Sequence, residues 1–104
     1  METGWYRGTT PTNIFYVNID LREAEVFISY YQQGELLVEK TGTDLFVAKN
    51  AILVTLTQED TLKFKTGDVK IQIRYIMDNG KSDASNIMIA DSKEILKDGV
   101  IAYV

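Results

Sequence analysis

Asp78, Asn79, Ser82 and Asp83 sit close together, and each could offer an oxygen to a hard cation such as calcium. A calcium loop, however, places alternating acids ahead of its glycine and a bidentate Glu beyond it. Neither feature surrounds Gly80, so the cluster reads as ordinary turn chemistry and no metal ligands are assigned. Glu23, Glu25, Glu35 and Glu39 could supply the carboxylate pair of a glycosidase. They fall on outward strand positions, where acids are solvated, and a domain this small leaves little room for a deep cleft.

The rest of the composition narrows the chemistry further. The chain has no histidine and no cysteine. That removes the usual general base near neutral pH, thiolate metal sites, disulfides and every Ser-His or Cys-His nucleophile pair. Eleven basic residues against fifteen acidic ones leave a formal charge of −4. A nucleic-acid partner, which needs clustered Lys and Arg, is not expected. The apolar runs, such as Ala51 to Val54, are too short to span a bilayer. The start, Met1-Glu2-Thr3-Gly4-Trp5, lacks the basic-then-apolar order of a signal peptide, so synthesis and folding are expected in the cytosol. No catalytic residue and no cofactor is assigned, and the chain is not expected to be an enzyme.

What remains is a framework of strands. At 104 residues the chain is the size of one domain with a genuine core. Apolar and polar residues alternate along Val69 to Tyr75, the period of a strand with one buried and one wet face. Asn79-Gly80 then provides turn residues, and Ser82 to Ala90 returns as the second limb of a hairpin. Upstream, strands are expected at Thr12 to Ile19, Glu25 to Gln32, Glu35 to Thr41, Leu45 to Ala48 and Ile52 to Thr57. Gln33-Gly34 should join the second to the third. Ile52, Val54 and Leu56 form an inward set, while Leu53, Thr55 and Thr57 point away. Thr57 can cap a short helix with Glu59 and Asp60 in its first turn, where the dipole favours acids. Ser92 to Lys97 reads as a second helical turn, and Val100 to Val104 as a last short strand or a tail. Turn signals at this spacing predict an all-β fold: a single antiparallel β-sandwich of about seven strands with one short helical turn, immunoglobulin-like in outline.

Two features interrupt this order. Residues 1–10 read as an N-terminal arm ahead of a sandwich over 11–104, and Trp5 and Tyr6 on that arm resemble interface anchors. Ile14-Phe15-Tyr16-Val17 and Val26-Phe27-Ile28 are apolar on both faces, whereas a sandwich strand should be wet outside. Either the arm or the tail covers the outer side, or that side packs on another subunit. Phe27, Phe46, Phe64 and Tyr75 are assigned to the core. Pro11, the only proline, is placed as the guard of an exposed edge.

Four segments carry a family resemblance: Arg7-Gly8-Thr9-Thr10-Pro11-Thr12, Leu56-Thr57-Gln58-Glu59-Asp60-Thr61-Leu62, Val69 to Arg74 with Ala84-Ser85-Asn86-Ile87, and Leu96-Lys97-Asp98-Gly99-Val100-Ile101. Together they resemble small proteins encoded in prophages of Gram-positive gut bacteria, found among tail and baseplate components. In outline the chain is also similar to the N-terminal sandwich domain of phage upper-baseplate proteins. The resemblance covers the chain from Arg7 onward and is structural in kind; Met1 to Tyr6 stands outside it. It implies a non-enzymatic tail or baseplate subunit, made in the cytoplasm and carried into a virion, that works through self-association and contacts with other tail proteins. Trp5, Tyr6, Ile14, Phe15 and Tyr31 are the expected contact residues. A carbohydrate-binding or host-surface adhesion module is the rival expectation, and it requires exposed aromatics on a flat face.

Overall fold

A computed structural model describes residues 4–102. The strands are β1 (Gly4–Tyr6), β2 (Thr12–Tyr16), β3 (Glu25–Gln32), β4 (Glu35–Thr41), β5 (Leu45–Val47), β6 (Ala51–Thr55), β7 (Gly67–Ile76), β8 (Ser82–Ala84) and β9 (Met88–Lys93). One α-helix, α1 (Gln58–Leu62), lies between β6 and β7. The fold is all-β, as the alternation and turn spacing predict. The larger sheet runs β1-β9-β7-β3-β4, with β8 also on β7, and the smaller runs β2-β6-β5. Lettered as in an immunoglobulin variable domain, β2 to β7 take the places B, C, C′, D, E and F, and β9 takes G. The place of strand A, beside β2, is unfilled among the described residues.

The central strands follow the sequence pattern closely. Ile28 and Tyr30 of β3, Val69, Ile71 and Ile73 of β7, and Ile52 and Val54 of β6 point inward with Leu56 and Phe64 to form the core between the sheets. The Gln33-Gly34 turn has both residues at positive φ, which lets it follow the twist of β3 and β4. The β7–β8 hairpin closes through the Met77 amide donating to the Lys81 carbonyl, with Gly80 at φ 87°. Asn79 Oδ1 accepts from the Lys81 amide and Asp83 Oδ1 from the Ala84 amide, so two of the four residues in this cluster turn an oxygen to the local backbone. The returning limb is broken: β8 pairs with Arg74 to Ile76 and β9 with Gly67 to Ile71, and the register slips by one residue between them. Ser85 fills the slip, its Oγ accepting from the Ile73 amide.

Three expectations are corrected. The arm over residues 1–10 is not loose where it is described. β1 joins the larger sheet parallel to β9, so the fold is not purely antiparallel. Gly4 permits this close approach, because a Cβ there would collide with the Asp91 carbonyl oxygen. Met1 to Thr3, the rest of the arm, lie outside the described residues. Ser92 and Lys93 belong to β9 and no helix forms over 94–97; Tyr103 and Val104 lie outside the described residues. The strand count is nine rather than about seven among the described residues, because β1 was unforeseen and the last limb is split.

α1 is held from both directions. Thr57 and Asp60 form a reciprocal cap, the Thr57 hydroxyl accepting from the Asp60 amide and the Asp60 carboxylate from the Thr57 amide. Arg7 closes the other end by donating to the Phe64 and Leu62 carbonyls, a cation at the pole where the dipole favours it. Gln58 brackets the Ile101 amide and carbonyl with its side chain. The segments on either side of the sandwich, through Arg7 and Ile101, are thus fastened at α1.

Candidate docking surface

The smaller sheet turns an apolar face outward. Period two sends Asn13, Phe15 and Val17 toward the core and Thr12, Ile14 and Tyr16 away from it. Asn13 donates to the Tyr30 hydroxyl at 2.7 Å; burial pushes that phenol's pKa up, and the Asn13 hydrogen bond offsets only part of the rise. Across the ladder Ile14 stands opposite Leu53, and Leu53 opposite Phe46. One continuous apolar row therefore crosses all three strands on the wet side, with Tyr16 beside Ala51 in the next row. Phe46 is 67% exposed and Tyr16 75%. At one end of this face Thr12 pairs with Thr55, and their hydroxyls bond each other at 2.9 Å.

The outer face of the larger sheet differs. Lys70 and Arg74 are exposed with Gln72 half-buried between them, and Ser29 stands in register between Gln72 and Glu39. Phe27, expected in the core, is instead half-buried on this face beside Arg74 and Thr41, because period two turns Val26 and Ile28 inward. Tyr31, an expected contact residue, is exposed here, between Leu36 and Lys70. It is not part of the apolar row.

The expected contact residues thus separate. Trp5 is corrected outright: it is 4% exposed and packs against Tyr30 and Phe64, with ring centroids 6.0 and 5.6 Å away. It is a core anchor, pulled in by the aromatic surface it can bury. Tyr6, one residue on, is half-exposed under the Lys93 ammonium, 5.1 Å from its ring centroid. Ile14 lies in the apolar row, and Phe15 points the other way, packed against the core. Phe46, assigned to the core, is exposed because β5 has three residues and buries its two outer ones, Leu45 and Val47. Phe46 is the surface residue that sequence reasoning missed; period two already turns Leu53 away from the core, and Tyr16 lies on the strand expected to be apolar on both faces. What alternation could not supply was the register that sets Ile14, Leu53 and Phe46 in one row.

The open side of the sandwich, between β2 and the β8–β9 limb, is a cleft of about 1100 Å³. Its floor is apolar: Leu21, Ile71, Ile73, Met88 and Ala90, with Trp5 at one end. The Trp5 Nε1 and the Ser92 Oγ, neighbours across the β1–β9 ladder, are buried without a hydrogen-bond partner among the described residues.

The carboxylates do not converge. Glu23, Glu25, Glu35 and Glu39 are all exposed, with Glu25 and Glu35 at opposite ends of the β3–β4 hairpin. Among the described residues no three acidic, His or Cys side chains gather into a candidate metal site. Near the core, the Asp60 carboxylate lies 2.7 Å from the Lys40 ammonium. Burial raises its pKa, but Lys40 and the Thr57 amide outweigh this and hold it below the usual carboxylate range. Asp20, on the surface, is lowered to about 2 by hydrogen bonds from the Arg22 guanidinium and amide.

No family model, no curated protein and no solved structure matches this chain.

Proposed function

We propose that this protein is a non-enzymatic assembly module that works by docking the outer face of its smaller sheet onto another protein surface. The observation that carries the reading is the uncovered row Ile14–Leu53–Phe46 with Tyr16 beside it. Contiguous apolar surface of this kind marks interaction sites in soluble proteins, and aromatics are enriched among the residues that dominate binding. The resemblance to prophage tail and baseplate components supplies a setting in which such a subunit meets copies of itself and neighbouring tail proteins. Among the described residues the exposed acids Glu23, Glu25, Glu35 and Glu39 are dispersed.

Sugar binding is the second reading, favoured by the exposure of Tyr16 and Phe46 on one sheet face. Sugar hydroxyls need polar partners beside the stacking rings, and here Ile14 and Leu53 lie between them. Protein contact fits that composition better. A glycan array decides: selective binding that disappears in Tyr16→Ala would favour adhesion.

Sedimentation velocity over a concentration series tests the assembly reading. The wild type should populate associated species, and Phe46→Lys, a change at an already exposed position, should weaken association at least tenfold without lowering thermal stability. Equal association of the two proteins would remove Phe46 from any interface and overturn the reading.

A further inference from the structure

We infer that the free edge of β2 pairs antiparallel with β2 of a second copy of this chain, about a twofold axis at Ile14. The inference rests on the assembly reading above and names how two copies meet.

The hydrogen bonds at either end of the strand fix which way its backbone points. The Leu56 amide donates to the Pro11 carbonyl, and the Val17 amide to the Asn50 carbonyl. In an antiparallel ladder, bonded pairs alternate with unbonded ones. Pro11, Asn13, Phe15 and Val17 therefore direct their polar groups at β6, in register with Leu56, Val54, Ile52 and Asn50. Thr12, Ile14 and Tyr16 direct theirs at the empty place beside β2, and no described residue pairs with them there. Pro11 cannot guard this edge, which corrects the expectation placed on it: its missing N–H faces β6.

The edge is also unguarded by charge. Thr12 to Val17 reads Thr-Asn-Ile-Phe-Tyr-Val, with no Lys, Arg, Asp or Glu. β4, at the far edge of the larger sheet, carries Glu35, Glu39 and Lys40. Natural proteins blunt exposed edges with charge, proline or shortness, and β2 has none of these in the required place.

A second copy is the occupant that the register selects. The outward groups fall on Thr12, Ile14 and Tyr16, which are symmetric about Ile14. Antiparallel pairing then sets Ile14 opposite its own copy and Thr12 opposite the other copy's Tyr16. Each pair is of the bonded type and exchanges both bonds. Such an isologous contact closes on itself, as the commonest soluble dimers do. It also joins the two apolar rows, since Ile14 sits at the seam, into one face spanning β5-β6-β2 of both copies. The cleft on each open side comes to lie beside this seam.

Ile14→Pro removes an edge-facing N–H and no bond of the β2–β6 ladder. It should fold with a wild-type melting profile, sediment as a monomer and raise the dimer dissociation constant at least a hundredfold. Tyr16→Pro should do the same. Thr12→Lys, which leaves the backbone intact and places a charge on the edge, reads the same surface if either proline unfolds. Phe46→Lys, on the far strand of the sheet, should still dimerise while losing larger species. Folded variants at positions 12, 14 and 16 that associate like the wild type would overturn edge pairing and leave face docking standing. Normal association of Phe46→Lys alongside loss in the edge variants would do the reverse. A wild type that is monomeric throughout overturns both, and strand addition by an added peptide would then identify a different occupant.

Discussion

Trp5 shows how one side chain decides the fate of a segment. Nothing periodic surrounds it, yet its ring fills the core between Tyr30 and Phe64 and fixes β1 against β9. Truncating a buried Trp removes both transfer free energy and packing, typically about 3–5 kcal/mol. Trp5→Ala should lower stability by that order in urea unfolding. Tyr6→Ala, which loses a half-exposed ring and its contact with Lys93, should cost no more than about 1 kcal/mol. A Trp5→Ala protein as stable as the wild type would mean that β1 is dispensable. The sequence offered Gly4-Trp5-Tyr6 only as three residues, too short a run for period two to register. The informative clue was chemical: glycine where backbones touch, next to the residue with most to gain from burial.

At the scale of elements, α1 is the best-read piece of the chain. Thr57 and Asp60 stand at cap spacing in the sequence, and the reciprocal cap forms. What the spacing could not give was the long-range half of the site, the Lys40 ammonium from β4 and the Arg7 guanidinium at the far end of the helix. The Asp60 pKa is lowered on folding, so its contribution to stability is present above the ordinary carboxyl value of 3.8 and is lost as pH falls through the lowered one. Stability from urea unfolding should therefore fall as pH drops below about 4. Asp20, lowered to about 2 by Arg22, acts in the same direction, so the comparison needed is with Asp60→Asn. That variant should be less stable at neutral pH and show a shallower acid limb; an identical limb would assign the pH dependence elsewhere. The strands divide in the same way. β3 and β4 match their expected limits because turn residues bracket them, whereas β8 and β9 were read as one because the slip at Ser85 depends on a partner strand.

At the scale of the molecule, the two sheets present opposite outer faces: one carries Lys70, Gln72 and Arg74, the other Ile14, Leu53 and Phe46. The all-β fold was legible from turn spacing and alternation. The strand order was not, because it depends on pairings between distant segments. Part of the candidate surface was legible, since Ile14 and Tyr16 already stood out on a strand apolar on both sides. Leu53 was legible as an outward residue of β6, but Phe46 was hidden in a run that looks like ordinary core, and the row they form with Ile14 shows only when β2, β6 and β5 are placed side by side. The same strand carries a liability. Thr12 to Val17 is uncharged, rich in β-forming residues and free of proline, the character of segments that aggregate when left unpaired.

The central claim is that the β2 edge is a contact surface, and residue-resolved amide hydrogen exchange on the wild-type protein addresses it without any substitution. The amides of Asn13, Phe15 and Val17 should be protected at every protein concentration, because they bond within the sheet. Those of Thr12, Ile14 and Tyr16 should exchange rapidly in dilute protein and become protected as concentration rises. Rapid exchange at these three positions under conditions where the protein is associated would contradict the account.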